Sequence, residues 1–171
     1  MKVELRKLSL DMSEKEYNML QDILDEENGF TNPAYQLSYE DYKKWLKKED
    51  DYSRGDNLPE GWIACTTYFL YIDDVPVGYG RIRHHSNQYL EKVKGVGNFG
   101  YGIAKKYRRK GYGNILFSEL LKKCRDFGYE EIKLFPYKNN IATLKVMEKN
   151  GGKIIGEFNK EKYIVYFKLN K

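Results

Sequence analysis

The chain has 171 residues, enough for one domain with a hydrophobic core, and its 30 basic against 25 acidic side chains leave a formal charge of +5. No stretch approaches the roughly 20 apolar residues of a membrane span, and the opening MKVELRKLSLDMSEKEY lacks a signal peptide's apolar run, so no membrane partner is expected. Cys65 and Cys124 have no metal-ligand spacing and are too few for a disulfide framework; neither a metal site nor an oxidising compartment is expected, and a reducing cytoplasm is the expected location.

In chain order, VELRKL (3–8) alternates as a strand does. A helical pattern follows from Ser13 to Glu27, with Ser13 as N-cap, Glu16 three positions on, and Asn28-Gly29 as its stop. Ser38 and Asp41 open a second helix through Trp45 and Lys47, and KKEDDYSRGDNLPEGW reads as a long polar loop. TTYFLYI (66–72) and VPVGYGRIRH (75–84) form a hairpin about Asp73-Asp74, and NFGYGIA (98–104) is a further strand. Residues 113–127 carry Leu116, Leu120, Leu121, Cys124 and Phe127 on one helical face, with Gly128 as the stop. A strand at 131–137, a helix from Asn140 to Lys149 and a terminal hairpin, KIIGEF with YIVYFKL, complete the chain. The expectation is a single α+β domain over 1–171 in the order β-α-α-β-β-β-α-β-α-β-β. Its mixed, mostly antiparallel sheet has about seven strands beside four helices, and the 98–136 crossover supplies at least one parallel pairing.

Residues 95–116, GVGNFGYGIAKKYRRKGYGNIL, hold two glycine patterns. Gly95, Gly97 and Gly100 spell G-x-G-x-x-G, but the last glycine enters a strand instead of opening a helix, so the dinucleotide reading fails. Arg108, Gly111 and Gly113 spell R-x-x-G-x-G between a strand and a helix. There the glycines let backbone N–H groups approach a ligand, the helix N-terminus adds partial positive charge, and Arg108, Arg109 and Lys110 add whole charges. That combination suits a doubly charged anion, most simply a pyrophosphate.

YRRKGYG in this setting resembles the acetyl-CoA signature of the GCN5-related N-acetyltransferases, and NNIATLKVMEKNGG (139–152) is similar to that family's following segment. WIACTTYFLYIDDVPVGYGRIRH and GNFGYGI resemble a poorly characterised branch of it. The resemblance covers essentially the whole chain and implies a sheet whose central strands splay. It implies that the backbone of Ile103 and Ala104 pairs with the pantetheine arm. The N–H groups from Arg109 through Lys110, Gly111 and Tyr112 to Gly113, with Asn114, would hold the pyrophosphate of acetyl-CoA. Asn140 would hydrogen-bond the pantetheine arm and Thr143 would lie near the thiol end or the nucleotide, although Asn140 also reads as an ordinary N-cap and Thr143 as a residue that fills a helix face. The implied reaction is direct acetyl transfer to the amine of a small molecule or peptide.

The chain departs from that family at two positions. The tyrosine that many members use to protonate the leaving thiolate is replaced by Met147, and the usual glutamate base by Asn98, which can orient a water but takes no proton. His84, His85 and Tyr101 are the remaining candidates for acid–base work. Met147 and Asn98 keep open a non-catalytic acyl-CoA-binding module. The run KKYRRK raises nucleic-acid binding, against which its six-residue length and the small net charge weigh. The exposed terminal hairpin allows a homodimer, and the sequence leaves the acceptor amine open.

Overall fold

The computed structural model describes residues 1–169. In chain order these form β1 (Val3–Lys7), α1 (Glu14–Leu20), β2 (Glu26–Glu27), β3 (Phe30–Thr31), α2 (Tyr39–Ser53), β4 (Cys65–Ile72) and β5 (Val75–Arg83). A π-turn at Leu90–Lys94 leads to β6 (Phe99–Ile103) and a 3₁₀ turn at Lys105–Tyr107. The chain then runs through α3 (Tyr112–Asp126), β7 (Glu131–Leu134), α4 (Ile141–Lys149), β8 (Lys153–Glu157) and β9 (Tyr163–Lys168).

Two sheets carry the fold, ordered β1-β4-β5-β6 and β7-β9-β8, beside the small β2-β3 hairpin. Every ladder is antiparallel. The parallel pairing expected of the crossover is therefore not formed: β6 and β7 meet at one point and part. At that point the Asn98 carboxamide oxygen accepts from Lys133 N–H at 3.0 Å. Gly97 lies so close to β7 that a Cβ would stand 2.8 Å from the Lys133 carbonyl. A side chain thus takes the acceptor role of a ladder carbonyl, and among the described residues no ladder joins β6 to β7.

Apolar faces fill both sides of the sheets. Leu116, Phe117, Leu120, Leu121 and Cys124 of α3 pack on Ile82, Phe99, Ile132 and Phe167. Met19, Leu20 and Ile23 with Tyr42, Trp45 and Leu46 of α2 cover Phe69, Tyr71 and Tyr79 on the other side. Much of the tyrosine content is therefore core, with phenols that reach partners: Tyr71 to Glu16 at 2.8 Å and Tyr79 to Asn32 at 2.7 Å.

The strand expected over 131–137 ends at Leu134, and two helix boundaries also differ from the sequence pattern. The first helix ends at Leu20, not Glu27, because the buried Asn32 amide donates to the Leu20 and Ile23 carbonyls at 2.9 and 2.7 Å and ends the helix there. Asn28-Gly29 is not a helix stop but the turn of β2-β3, with φ of 54° and 87° as a type I′ turn requires. The second helix continues to Ser53 through residues that read as loop. Glu49 and Tyr52 face inward there, and Lys47–Asp51 and Asp50–Arg54 ion pairs line its outer face.

Candidate functional site

The junction of β6 and α3 is built from unusual backbone. After the 3₁₀ turn, Arg108 is extended, Arg109 is left-handed at φ 62° and Gly111 at φ 84°, and α3 begins at Tyr112. A non-glycine residue in the left-handed region is uncommon and clusters at ligand sites. The first bond of α3 runs from Ile115 N–H to the Gly111 carbonyl at 3.3 Å. None of the N–H groups from Arg109 to Asn114 donates to a protein acceptor among the described residues. A Cβ on Gly111 would meet nothing within 4 Å, and one on Gly113 only Ile103 Cγ1 at 3.9 Å. Six consecutive donors at an open helix N-terminus form a cradle for a multiply charged anion.

The three basic residues before it part company. Arg109 and Lys110 are exposed. Arg108 turns away: its Nε donates to the Ile103 carbonyl at 2.9 Å and its Nη2 pairs with the Glu27 carboxylate. Its charge is spent on tying the β2-β3 hairpin to the cradle, which corrects its reading as a free cation for the anion. The Asp22 carboxylate accepts from Lys106 N–H at 2.9 Å and its carbonyl from Lys105 N–H at 3.1 Å, a second tie between the same segments.

The free edge of β6 runs from the fork to the cradle. Arg83 N–H donates to the Asn98 carbonyl and Ala104 N–H to the Val77 carbonyl, so residues 98, 100, 102 and 104 point their backbone groups at β5. Residues 99, 101 and 103 point theirs at the gap. Ile103 is thus half available, its N–H free and its carbonyl held by Arg108. Ala104 is not available, since its carbonyl also accepts from Tyr107 N–H at 2.9 Å. Tyr101, read as a side-chain candidate, also supplies a free backbone pair.

Across the gap stands α4. Asn140 caps it, accepting from Thr143 N–H at 3.3 Å, and the Thr143 hydroxyl lies 3.4 Å from the Tyr101 phenol. Burial raises the Tyr101 phenol above its ordinary range against the Thr143 hydrogen bond, so it stays protonated. Met147 is 5 % exposed and packed in the core. The Asn114 side chain accepts from Asn150 Nδ2 at 2.8 Å, which binds α3 to α4.

The remaining acid–base candidates are not gathered here. Asn98 is 2 % exposed and its carboxamide is committed at both ends, to Lys133 N–H and to the Ser86 hydroxyl at 2.9 Å. Both ends of its carboxamide are engaged in clipping the fork. His84 lies on the α3 side of β5, stacked 4.8 Å from Phe127 with Nε2 2.7 Å from the Thr66 hydroxyl. Burial, His85 and Lys7 hold its pKa below the ordinary value. His85 is exposed beside the Ser86 carbonyl. Burial pushes the Cys124 thiol up to about 12 and raises Cys65 as well, so neither is an activated nucleophile.

The opposite face of β5 carries residues that no motif singled out. Across the ladders Thr67, Arg81 and Gly100 stand in one row, and Cys65, Arg83 and Asn98 in the next. Above them α2 places Glu49, whose carboxylate lies 3.4 Å from the Thr67 hydroxyl. Burial pushes the Glu49 carboxyl up against the pull of Arg81. Phe30 of β3 lies over Gly100 and Gly102, where any Cβ would come within 3.0 Å of its ring. The one sequence signal was two arginines at alternate positions of an otherwise apolar and glycine-rich strand. Among the described residues no cluster of metal-ligating side chains is present, and no helix is long and apolar enough to cross a membrane.

Residues 19–152 match the model of the Acetyltransferase (GNAT) family. Among solved structures, the chain is similar to an acetyltransferase of the GNAT family from Streptococcus pneumoniae, with TM-score 0.65, 16 % identity, and 99 % of this chain and 100 % of that chain covered. It is also similar to the Campylobacter jejuni N-acetyltransferase PseH in complex with acetyl coenzyme A (0.65, 18 %, 99 % and 100 %). The third, yncA from Salmonella typhimurium, is a putative acetyltransferase with its cofactor acetyl-CoA (0.64, 11 %, 100 % and 96 %). The comparison with curated proteins finds no match.

Proposed function

The chain belongs to the GNAT acetyltransferase family, and on that premise we propose that it transfers an acetyl group from acetyl-CoA directly to a primary amine of a small molecule or peptide in the cytoplasm. The observation that carries the reading is the run of free N–H groups from Arg109 to Asn114 at the mouth of α3. These donors and the exposed Arg109 and Lys110 fit a diphosphate, and the open edge of β6 at Tyr101 and Ile103 fits the amides of the arm.

Acetyl-CoA supplies the thioester. The chain's residues supply position and proton control. The Tyr101 and Ile103 N–H groups face the gap in which the arm lies, where a donor can polarise the thioester oxygen. The acceptor, an ammonium with an ordinary pKa of about 10.4, gives its proton to water before attack. The new C–N bond forms as the C–S bond breaks, the phenol of Tyr101 gives its proton to the departing sulfur, and the second proton that the acylated nitrogen sheds passes through water to restore the phenol. Tyr101 thereby takes over the task that Met147 cannot perform.

Two measurements test this. Acetyl-CoA at 100 times its dissociation constant stabilises the fold by about 2.7 kcal/mol, which raises Tm by several degrees at about 2–4 °C per kcal/mol. Thiol release is then followed across polyamines, aminoglycosides, amino acids and peptide N-termini. No shift at millimolar acetyl-CoA sinks the reading. A shift without amine-dependent thiol release favours an acyl-CoA-binding module, the reading that Met147 in the core supports.

A further inference from the structure

Arg81 and Arg83 project from the same face of β5, yet neither has an ion-pair partner within 4.0 Å among the described residues. Arg81 Nη2 donates to the Thr31 carbonyl and Arg83 Nη1 to the Gly97 carbonyl, the latter at 2.8 Å, and the Tyr79 phenol is a further partner of Arg81. A guanidinium has five N–H donors, so most of each fork is unused. Arg81 Nε is buried with no hydrogen-bond partner at all. Bracing two loops does not explain this, because a charge is costly to remove from water unless an anion meets it. The groups facing the pair are known. Glu49 acts on Arg81 from α2, Cys65 stands beside both arginines, and Tyr79 and Phe30 lie 5.8 and 5.4 Å from the Arg81 guanidinium. Two positive charges and the one carboxylate of Glu49 leave a single charge to be met.

We infer that Arg81 and Arg83 hold a carboxylate of the acceptor, so that the substrate class is amino acids, acetylated on an amine close to that carboxylate. The location limits the distance between the two groups. Arg81 stands opposite Gly100 and Arg83 opposite Asn98, at the fork where the free edge of β6 begins. Adjacent strands are about 5 Å apart, so an anion on β5 and an amine attacking along β6 belong to one small molecule. Bidentate recognition of a planar carboxylate is what paired guanidinium forks do best. The inference rests on the proposed acetyl transfer for its amine, but not for its anion.

The test separates the two. Melting shifts of the full chain are measured with amino acids, the same amino acids as carboxamides, and O-phosphoethanolamine, each with and without acetyl-CoA, and thiol release is followed in parallel. At least one amino acid is expected to exceed its own carboxamide about 100-fold in kcat/KM and to shift Tm where the carboxamide does not. Arg81→Gln and Arg83→Gln each shrink that ratio tenfold or more through KM, and Arg83→Lys recovers part of it. The acetyl-CoA melting shift persists in all three variants, which reports that they fold. Equal acid and amide, a preference for the phosphorylated amine, or an equal loss for every acceptor overturns the inference. A missing acetyl-CoA shift overturns the transferase reading instead, and the amino-acid shifts without acetyl-CoA still decide the anion site.

Discussion

The Tyr101 phenol and the Thr143 hydroxyl stand 3.4 Å apart, the one on β6 and the other on α4, across the gap that opens beyond the Asn98 fork. Under the proposed transfer, this pair supplies the proton donor that Met147 is not. Tyr101→Phe is expected to lower kcat about 100-fold, the low end for loss of a general acid, with acetyl-CoA binding unchanged. Because burial raises the phenol, the wild-type pH–rate profile should show no falling limb from this group below pH 10. Steady-state rates on a thiol better able to leave, which should be less affected, check the assignment.

Gly113 separates the cradle from mere helix initiation. The space around its Cβ is open, with one contact at 3.9 Å, and its φ is not left-handed. Gly113→Val should therefore change the free protein's stability by less than about 1 kcal/mol, since valine is no worse than glycine in a helix. A branched side chain there fills the ligand's space, so the acetyl-CoA melting shift should vanish. A surviving shift would locate the diphosphate elsewhere.

Arg108 and Glu27 join the cradle to the β2-β3 hairpin. The side chains are 36 % and 26 % exposed, so the pair contributes at most about 1 kcal/mol. Arg108→Gln and Glu27→Gln should each speed amide exchange in the hairpin, and the double variant should add little to either. Additive effects would mean that the two do not act as a pair.

His84 makes stability depend on pH. Its folded-state pKa lies below the ordinary 6.5, so the unfolded chain takes up the proton first as the pH falls. Stability is thus complete above pH 6.5 and is lost from there downward. Glu49, raised by burial, acts in the opposite sense at lower pH, where the folded state binds the proton more readily. In denaturant unfolding, His84→Gln should flatten the loss that sets in below pH 6.5; an unchanged slope would assign it to another group.

Asn98 carries the fork. Asn98→Ala leaves Lys133 N–H and the Ser86 hydroxyl without their partner in a buried site, at a cost of about 1–3 kcal/mol. A fall in Tm of roughly 2–4 °C per kcal/mol is expected, with weaker acetyl-CoA binding because the gap loses its fixed origin. Equal stability of wild type and variant would show that the clip does nothing.

The cradle was legible in the sequence because it is local: a strand, two glycines two apart and an amphipathic helix fix where backbone N–H groups go unpaired. For the same reason the hairpin at Asp73-Asp74, α3, α4 and the terminal hairpin lie within a residue or two of their expected ends, apart from longer margins at strand ends. What the pattern could not hold was set by contacts between distant segments. Asn32 ends α1 at Leu20, and Asn98 replaces a ladder bond with a side chain, so that the expected parallel pairing gives way to a fork. Arg108 spends its charge on Glu27, 81 residues away. The unpaired arginines became visible only when the register set Arg81 beside Thr67 and Gly100, and Arg83 beside Cys65 and Asn98. Periodicity and turn chemistry act over a few residues, and they determined the elements and the run of unpaired N–H groups at the mouth of α3. Burial and charge pairing act through space, and they alone decided which side chains were already spoken for and which remained free to meet a substrate.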